Sequence, residues 1–311
     1  MTAVPGWLLA PVAIAGFVFA VTLLGAGTDQ FGPVLERWLR RSLDPDVAAL
    51  GAGWLGAYGM LNGSVVAAVS ISLFHAGTMT ARELFMVVVG SRLGSAGFIV
   101  FVGALDYLQH RGDEVERSVG LGTYSFLVTH SIYLPLAVVG AVSLPAVFLL
   151  ESVATGTVVL SRIGGVGVLD GPVDRVAGLL GALPTVAVAI ALFLASLRLV
   201  DHLFGRVDTD GVGQTALAAL ERPSRSFAVG LLVTMATTSV SVSIGLLVPL
   251  FNRGYLDRQR MGPYVLGASL GTLVDSFLVA VLLGSPVAVL VVVHVFLVCA
   301  GLTVLALLAA N

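Results

Sequence analysis

Apolar stretches dominate this chain, and short polar breaks divide them in a repeated order. Val4–Leu24, Leu84–Leu108, Val119–Val142, Val176–Val200, Met261–Leu283 and Val287–Ala309 each come close to the roughly 20 residues that cross a bilayer as helix. Between them lie two shorter pairs. Val47–Met60 and Val65–Phe74 flank Asn62-Gly63-Ser64. Phe227–Ala236 and Ile244–Phe251 flank a run carrying Thr237, Thr238, Ser239, Ser241 and Ser243. No arm of either pair is a comfortable span alone, so each pair predicts a broken helix or a re-entrant hairpin. Backbone exposed at such a break cannot face lipid and must face protein or a water-filled cavity.

The intervening pieces follow the same order in both halves. Gly25–Asp29 is expected to end the first span, with Asp29 capping an amphipathic piece, Phe31–Leu43, too short and charged to cross. Thr80, three residues before Glu83, predicts a capping box ahead of the next span. Gln109–Arg117 reads as a charged loop and Ser161–Arg175 as a glycine-rich connection. Asp201–Arg225 is polar, with room for a short helix at Val212–Leu220, and corresponds to Phe31–Leu43. Leu144–Leu160, with Glu151 in its middle, is an extra apolar stretch; an odd crossing between equivalent halves inverts one relative to the other. The expected fold is therefore an all-α polytopic membrane protein of two inverted repeats with re-entrant or broken helices. Residues 1–142 form the first repeat, 143–175 the connection and 176–311 the second repeat. Paired interrupted helices at corresponding positions point to a transporter site.

Composition narrows the class. Only 11% of residues are charged and 57% are hydrophobic, too few charges to cover the surface of a soluble protein of this length. The net charge of -2 gives no reason to expect a nucleic-acid partner. The first residues carry no basic segment, which favours a retained first span over a cleaved leader. Arginines occur in most loops, so their distribution gives little orientation. Cys299 is the single cysteine, which excludes an internal disulfide and disfavours a thiolate metal site. No nucleotide-binding loop and no nucleophile–base constellation is present, so no catalytic residues and no cofactor are assigned.

The breaks carry the chemistry. A helix start offers unpaired N–H groups to anions, and a helix end offers carbonyls to cations. Hydroxyls add donors and acceptors. Asn62, Ser64, Thr238, Ser239 and Ser241 are the natural ligand candidates, and Gly63 and Gly94 permit close backbone approach. Packing of helices through small residues is the competing reading, weakened by two clusters in matching positions.

With these residues in view, the chain resembles the sodium/phosphate cotransporter family. Members carry two inverted repeats, each with a Q-S-S-S signature near a hairpin tip and a G-[AS]-N-[IL]-G-T-T-like motif after it. The first signature falls on Leu61-Asn62-Gly63-Ser64 and the second on Thr238-Ser239-Val240-Ser241, the latter followed by Val248-Pro249-Leu250. The glycine motifs become Gly90-Ser91-Arg92-Leu93-Gly94-Ser95 and Gly267-Ala268-Ser269-Leu270-Gly271-Thr272. Both signature glutamines and both motif asparagines are absent, so the chain resembles a divergent member. The resemblance implies phosphate or a related oxyanion as substrate; the candidate contacts are Asn62, Gly63, Ser64, Ser95, Thr238, Ser239, Ser241 and Thr272, with Arg92 added for its own charge. It also implies sodium as the coupling ion; the candidate ligands are Ser64, Ser239, Ser241 and Ser269, with the acid Asp275 added from its own chemistry. The expected partners are then phosphate, sodium and membrane lipids, with a homo-oligomer as an open alternative and the plasma membrane as the expected location.

Arg92 is the sharpest departure. A guanidinium within an apolar span needs a function or a partner. It can contact an oxyanion through its fork, pair with Asp106 or Asp275, or snorkel to an interface. Asp275, one turn beyond Gly271, can bind sodium, carry a proton or pair with Arg92. His130 reads as a packing and hydrogen-bonding residue, while His75 and His294 are widely separated without clear carboxylate companions and give no metal site. The rival functions are a transporter of another anion, a proton-coupled transporter, and a non-transporting scaffold or sensor.

Overall fold

The computed structural model describes residues 6–39, 45–60, 62–110, 113–148, 169–204, 220, 222–238, 240–245 and 258–309. These residues form helices with no strand among them. In chain order the helices are α1 (Gly6–Leu39), α2 (Pro45–Met60), α3 (Gly63–His75), α4 (Ala81–His110), α5 (Asp113–Val147) and α6 (Asp170–Leu180). They continue as α7 (Ala182–Phe204), α8 (Pro223–Thr237), α9 (Val240–Gly245), α10 (Arg258–Gly271), α11 (Leu273–Leu282) and α12 (Pro286–Ala309). Among the described residues, five segments are long and apolar enough to cross a membrane: Leu9–Gln30, Gly122–Val147, Ala182–Val200, Met261–Leu282 and Pro286–Ala309. The chain is an all-α polytopic membrane protein.

Both expected breaks are present. α2 stops at Met60 and α3 starts at Gly63, with Asn62 extended between them. Its side-chain oxygen accepts from the backbone N–H groups of Ser64 at 2.8 Å and Val65 at 3.3 Å, satisfying two donors at the start of α3. α8 stops at Thr237, and Thr238 takes the left-handed conformation, the one non-glycine residue with positive φ among those described. α9 starts two residues later. Tyr264 secures α9 to α10: its hydroxyl donates to the Ser243 carbonyl at 3.0 Å and lies 2.9 Å from the Ser243 hydroxyl. The capping box also forms, with Thr80 N–H donating to Glu83 at 2.6 Å and Glu83 N–H to Thr80 Oγ1 at 3.2 Å.

Four expectations are corrected. Gly25–Asp29 does not end the first span, because α1 runs unbroken to Leu39 and leaves Asp29 exposed within it rather than at a cap. Glycine weakens a helix by only about 1 kcal/mol, which tertiary packing overrides. Here Gly27 sits where a Cβ would press on Val186 and Thr185 of α7. The loop expected over Gln109–Arg117 shrinks to the interval between His110 and Asp113. The connection expected over Ser161–Arg175 already becomes helix at Asp170. Val176–Val200 is not one span, because Gly181, at φ 76°, separates α6 from α7. Pro135 and Pro145 lie inside α5 without ending it. Val212–Leu220, all but its last residue, and Glu151 lie outside the described residues.

Two helix pairs share one packing scheme. α2 lies against α4 and α8 against α10. A Cβ on Gly53 would strike the Val87 carbonyl, one on Gly90 the Leu50 carbonyl, and one on Gly94 the Trp54 carbonyl. In the second pair Gly230 meets Tyr264, Gly267 meets Phe227 and Gly271 meets Leu231, again at carbonyl oxygens. Every member of the second set stands 177 positions after its counterpart in the first, as Gly53 with Gly230 and Gly90 with Gly267. Backbone meets backbone because no side chain intervenes, the small-residue packing that lipid-embedded helices favour. The same offset relates α3 to α9 and the start of α4 to that of α10.

Candidate functional site

The two pairs leave a small cleft between them. Arg92, Ser95 and Ala96 of α4 line it, with Thr129 of α5, Val240 and Ile244 of α9, Ser269 of α10, and Thr272. Its empty space is about 280 Å3 including the open mouth. The lining draws on corresponding positions of both pairs: Ser95 with Thr272, and Arg92 with Ser269, each 177 apart. The two glycine motifs thus contribute the same face of α4 and of α10 to one cleft.

The hydroxyls have a defined polarity. Ser95 donates to the Ser91 carbonyl at 2.8 Å, and Thr272 to the Ser269 carbonyl at 2.8 Å. Each proton is committed to the residue's own helix, so the oxygen keeps its lone pairs for a further partner. Thr129 and Ser269 hydroxyls lie 3.3 Å apart, and the Tyr133 hydroxyl donates to the Ser269 carbonyl at 3.1 Å. Tyr133 is fully buried, so it fixes the backbone beneath the second motif.

Arg92 supplies the opposite polarity. It is 4% exposed, which rules out snorkelling to an interface. Its Nη2 donates to Ser276 Oγ at 2.7 Å and lies 3.3 Å from Asp275 Oδ1. Ser276 in turn donates to Asp275 Oδ1 at 2.9 Å. Of the two carboxylates expected as partners Asp275 is the one engaged; the side chain of Asp106 lies outside the described residues. The pair is buried on both sides and single-toothed. Arg92 Nε and Asp275 Oδ2 have no hydrogen-bond partner among the described residues.

The other predicted residues fall around this core. Gly63 starts α3 where a Cβ would collide with Ser95 Oγ and the Ser91 carbonyl, so glycine there lets the first break approach the first motif. Ser64 is buried in the first turn of α3. Asn62 is half-buried, and its side-chain oxygen is occupied as a cap. Thr238 Oγ1 donates to the Thr237 carbonyl at 2.7 Å, and the residue does not line the cleft. Ser239 and the side chain of Ser241 lie outside the described residues. His130 packs on Phe126 and Trp54 with one ring nitrogen at the Phe126 carbonyl, and His294 reaches the Gly140 carbonyl and Ser143, both consistent with packing roles. Sequence reasoning missed Ser276, Thr129 and Tyr133. Ser276 carried one usable signal, a hydroxyl directly beside the lone acid of an apolar stretch.

Broken helices, hydroxyls with free lone pairs and a buried arginine at one cleft define a polytopic membrane protein with a polar site inside its helical bundle. Residues 192–307 match the family model described as Na+/Pi-cotransporter. The match covers little more than a third of the chain, where the sequence is similar to the sodium/phosphate cotransporter family, and it falls on the half that retains Val248-Pro249-Leu250. No curated protein and no solved structure gives a match.

Proposed function

We propose that the protein is a secondary transporter, not an enzyme, that moves phosphate or a related small oxyanion together with sodium. It would act in the plasma membrane by alternating access, its two halves lying in opposite orientation around the cleft. The observation that carries this reading is the composition of the cleft. Equivalent positions of two similarly packed helix pairs bring together oxygen acceptors, Ser95 and Thr272, and a donor fork, Arg92. Hydroxyl oxygens whose protons are spent elsewhere suit a hard monovalent cation. A guanidinium suits a tetrahedral oxyanion. The family match supports both partners. Among the sequence-predicted ligands, Ser64 in the first turn of α3 would complete the proposed site as both halves move, and Ser239 and Ser241 are its candidate counterparts by sequence.

The test is phosphate binding to the purified full chain, titrated in sodium chloride and in choline chloride at one pH, with sulfate as competitor. Tighter phosphate binding in sodium, with weak competition by sulfate, is the expected result. Absence of phosphate binding in both salts would refute the reading.

A further inference from the structure

The buried pair Arg92–Asp275 breaks the internal correspondence in a particular way. Position 92 carries arginine where its counterpart 269 carries serine. Positions 275 and 276 carry aspartate and serine where their counterparts 98 and 99 carry phenylalanine and isoleucine. A charge placed in α4 is thus answered by the opposite charge in α11. The two departures from the repeat are each other's partners, beside the cleft that Arg92 lines.

The pair is also incompletely made. A closed structural pair would use two parallel bonds near 2.8 Å. Here one nitrogen reaches one carboxylate oxygen at 3.3 Å, the Ser276 hydroxyl carries the shorter contact, and Nε and Oδ2 are left over in a buried setting. Buried polar atoms ordinarily have partners, so each leftover atom calls for one. Arg92 lines the cleft, so an oxyanion there lies next to the residue that holds the unused donor. Asp275 lies one helical turn past Thr272, whose oxygen has a lone pair to spare.

We propose that Arg92 and Asp275 are an exchangeable pair that links oxyanion binding to sodium binding. This rests on the sodium-coupled reading above and assigns the residues that do the coupling. An oxyanion entering the cleft takes the guanidinium. The carboxylate, left buried without its counter-charge, takes a sodium ion through Oδ2. Charge balances when the oxyanion carries a single charge, as dihydrogen phosphate does: the internal ion pair is replaced by guanidinium with oxyanion and carboxylate with sodium. Neither ligand binds well alone, because each would strand one buried charge. The linkage is reciprocal by thermodynamic necessity.

The test uses the purified full chain, inorganic phosphate as the anion and sodium chloride replacing choline chloride at constant pH and ionic strength. Wild type should bind phosphate about tenfold or more tightly in saturating sodium than in choline, within the usual range of coupling between sites. Asp275→Asn frees Arg92 and removes the sodium ligand. Its phosphate affinity in choline should rise toward the wild-type value in sodium, and the sodium dependence should vanish. Arg92→Gln makes the reciprocal statement without relying on the first variant: sodium should bind in the absence of phosphate, where wild type binds it weakly. A merely structural pair would instead make both variants weaker for both ligands, and that result overturns the proposal. Retained sodium dependence in Asp275→Asn also overturns it, while leaving sodium-coupled transport intact. A linkage that follows pH rather than sodium overturns the assignment of sodium to Asp275.

Discussion

Replacing Gly90 by alanine probes the backbone contact on which the cleft is built. The new Cβ would overlap the Leu50 carbonyl oxygen and stand 3.0 Å from both Leu50 C and Trp54 N. Ordinary carbon contacts lie at about 3.5 Å, so α2 and α4 would have to part by about 0.5 Å or more. The obstructing atoms are backbone, which cannot rotate away. Overpacking of this kind costs about 1–3 kcal/mol. Alanine also raises helix propensity by up to about 1 kcal/mol, which would mask part of the loss. Gly51→Ala removes that ambiguity: Gly51 lies in α2 with nothing within 4 Å of its virtual Cβ, so it carries the propensity gain without the collision. The difference between the two variants isolates the overpacking. Thermal unfolding in detergent should place Gly90→Ala roughly 2–12 °C below Gly51→Ala, taking about 2–4 °C per kcal/mol for a large domain. Gly267→Ala, facing Phe227 C and Leu231 N at 2.9 Å, should fall equally far. Matching melting temperatures for Gly90→Ala, Gly267→Ala and Gly51→Ala would refute the repeated backbone-on-backbone packing.

Two further outcomes follow from the site. Asn62→Ala should destabilise the protein by about 1 kcal/mol through loss of the α3 cap, with Asn62→Ser recovering most of it in the same thermal assay. Combined Ser95→Ala and Thr272→Val should raise the sodium concentration needed for half-maximal phosphate binding. Each lost buried contact costs about 1–3 kcal/mol, roughly five- to 150-fold; an unchanged sodium midpoint would remove these hydroxyls from the site.

The breaks were legible in the sequence because a polar cluster inside apolar sequence has few structural solutions at membrane depth. The glycine motifs were legible because their spacing records which helix faces meet. Hydropathy could not reveal backbone conformation. Gly25–Asp29 looked like a stop and is helix, while Gly181 lay inside an apolar run and is a break. Glycine permits both, and the packing of α1 on α7 decides. The partner of Arg92 was legible only as a choice between two acids, because 183 residues separate it from Asp275 and periodicity carries no information over that range. Ser276, the bridge between them, is ordinary in sequence and acquires its role only from that contact. Thr129 and Tyr133 were overlooked for the same reason, since α5 carries neither a break nor a glycine motif.

The central claim is sodium-coupled movement of phosphate through the cleft, and uptake into proteoliposomes tests it most directly. Purified protein would be reconstituted and given radiolabelled phosphate outside, with an inward sodium gradient or with equal sodium on both sides. The account predicts accumulation above the external concentration only with the gradient, and its loss in the Ser95→Ala, Thr272→Val double variant. Phosphate that merely equilibrates, or that accumulates equally without a sodium gradient, would contradict it.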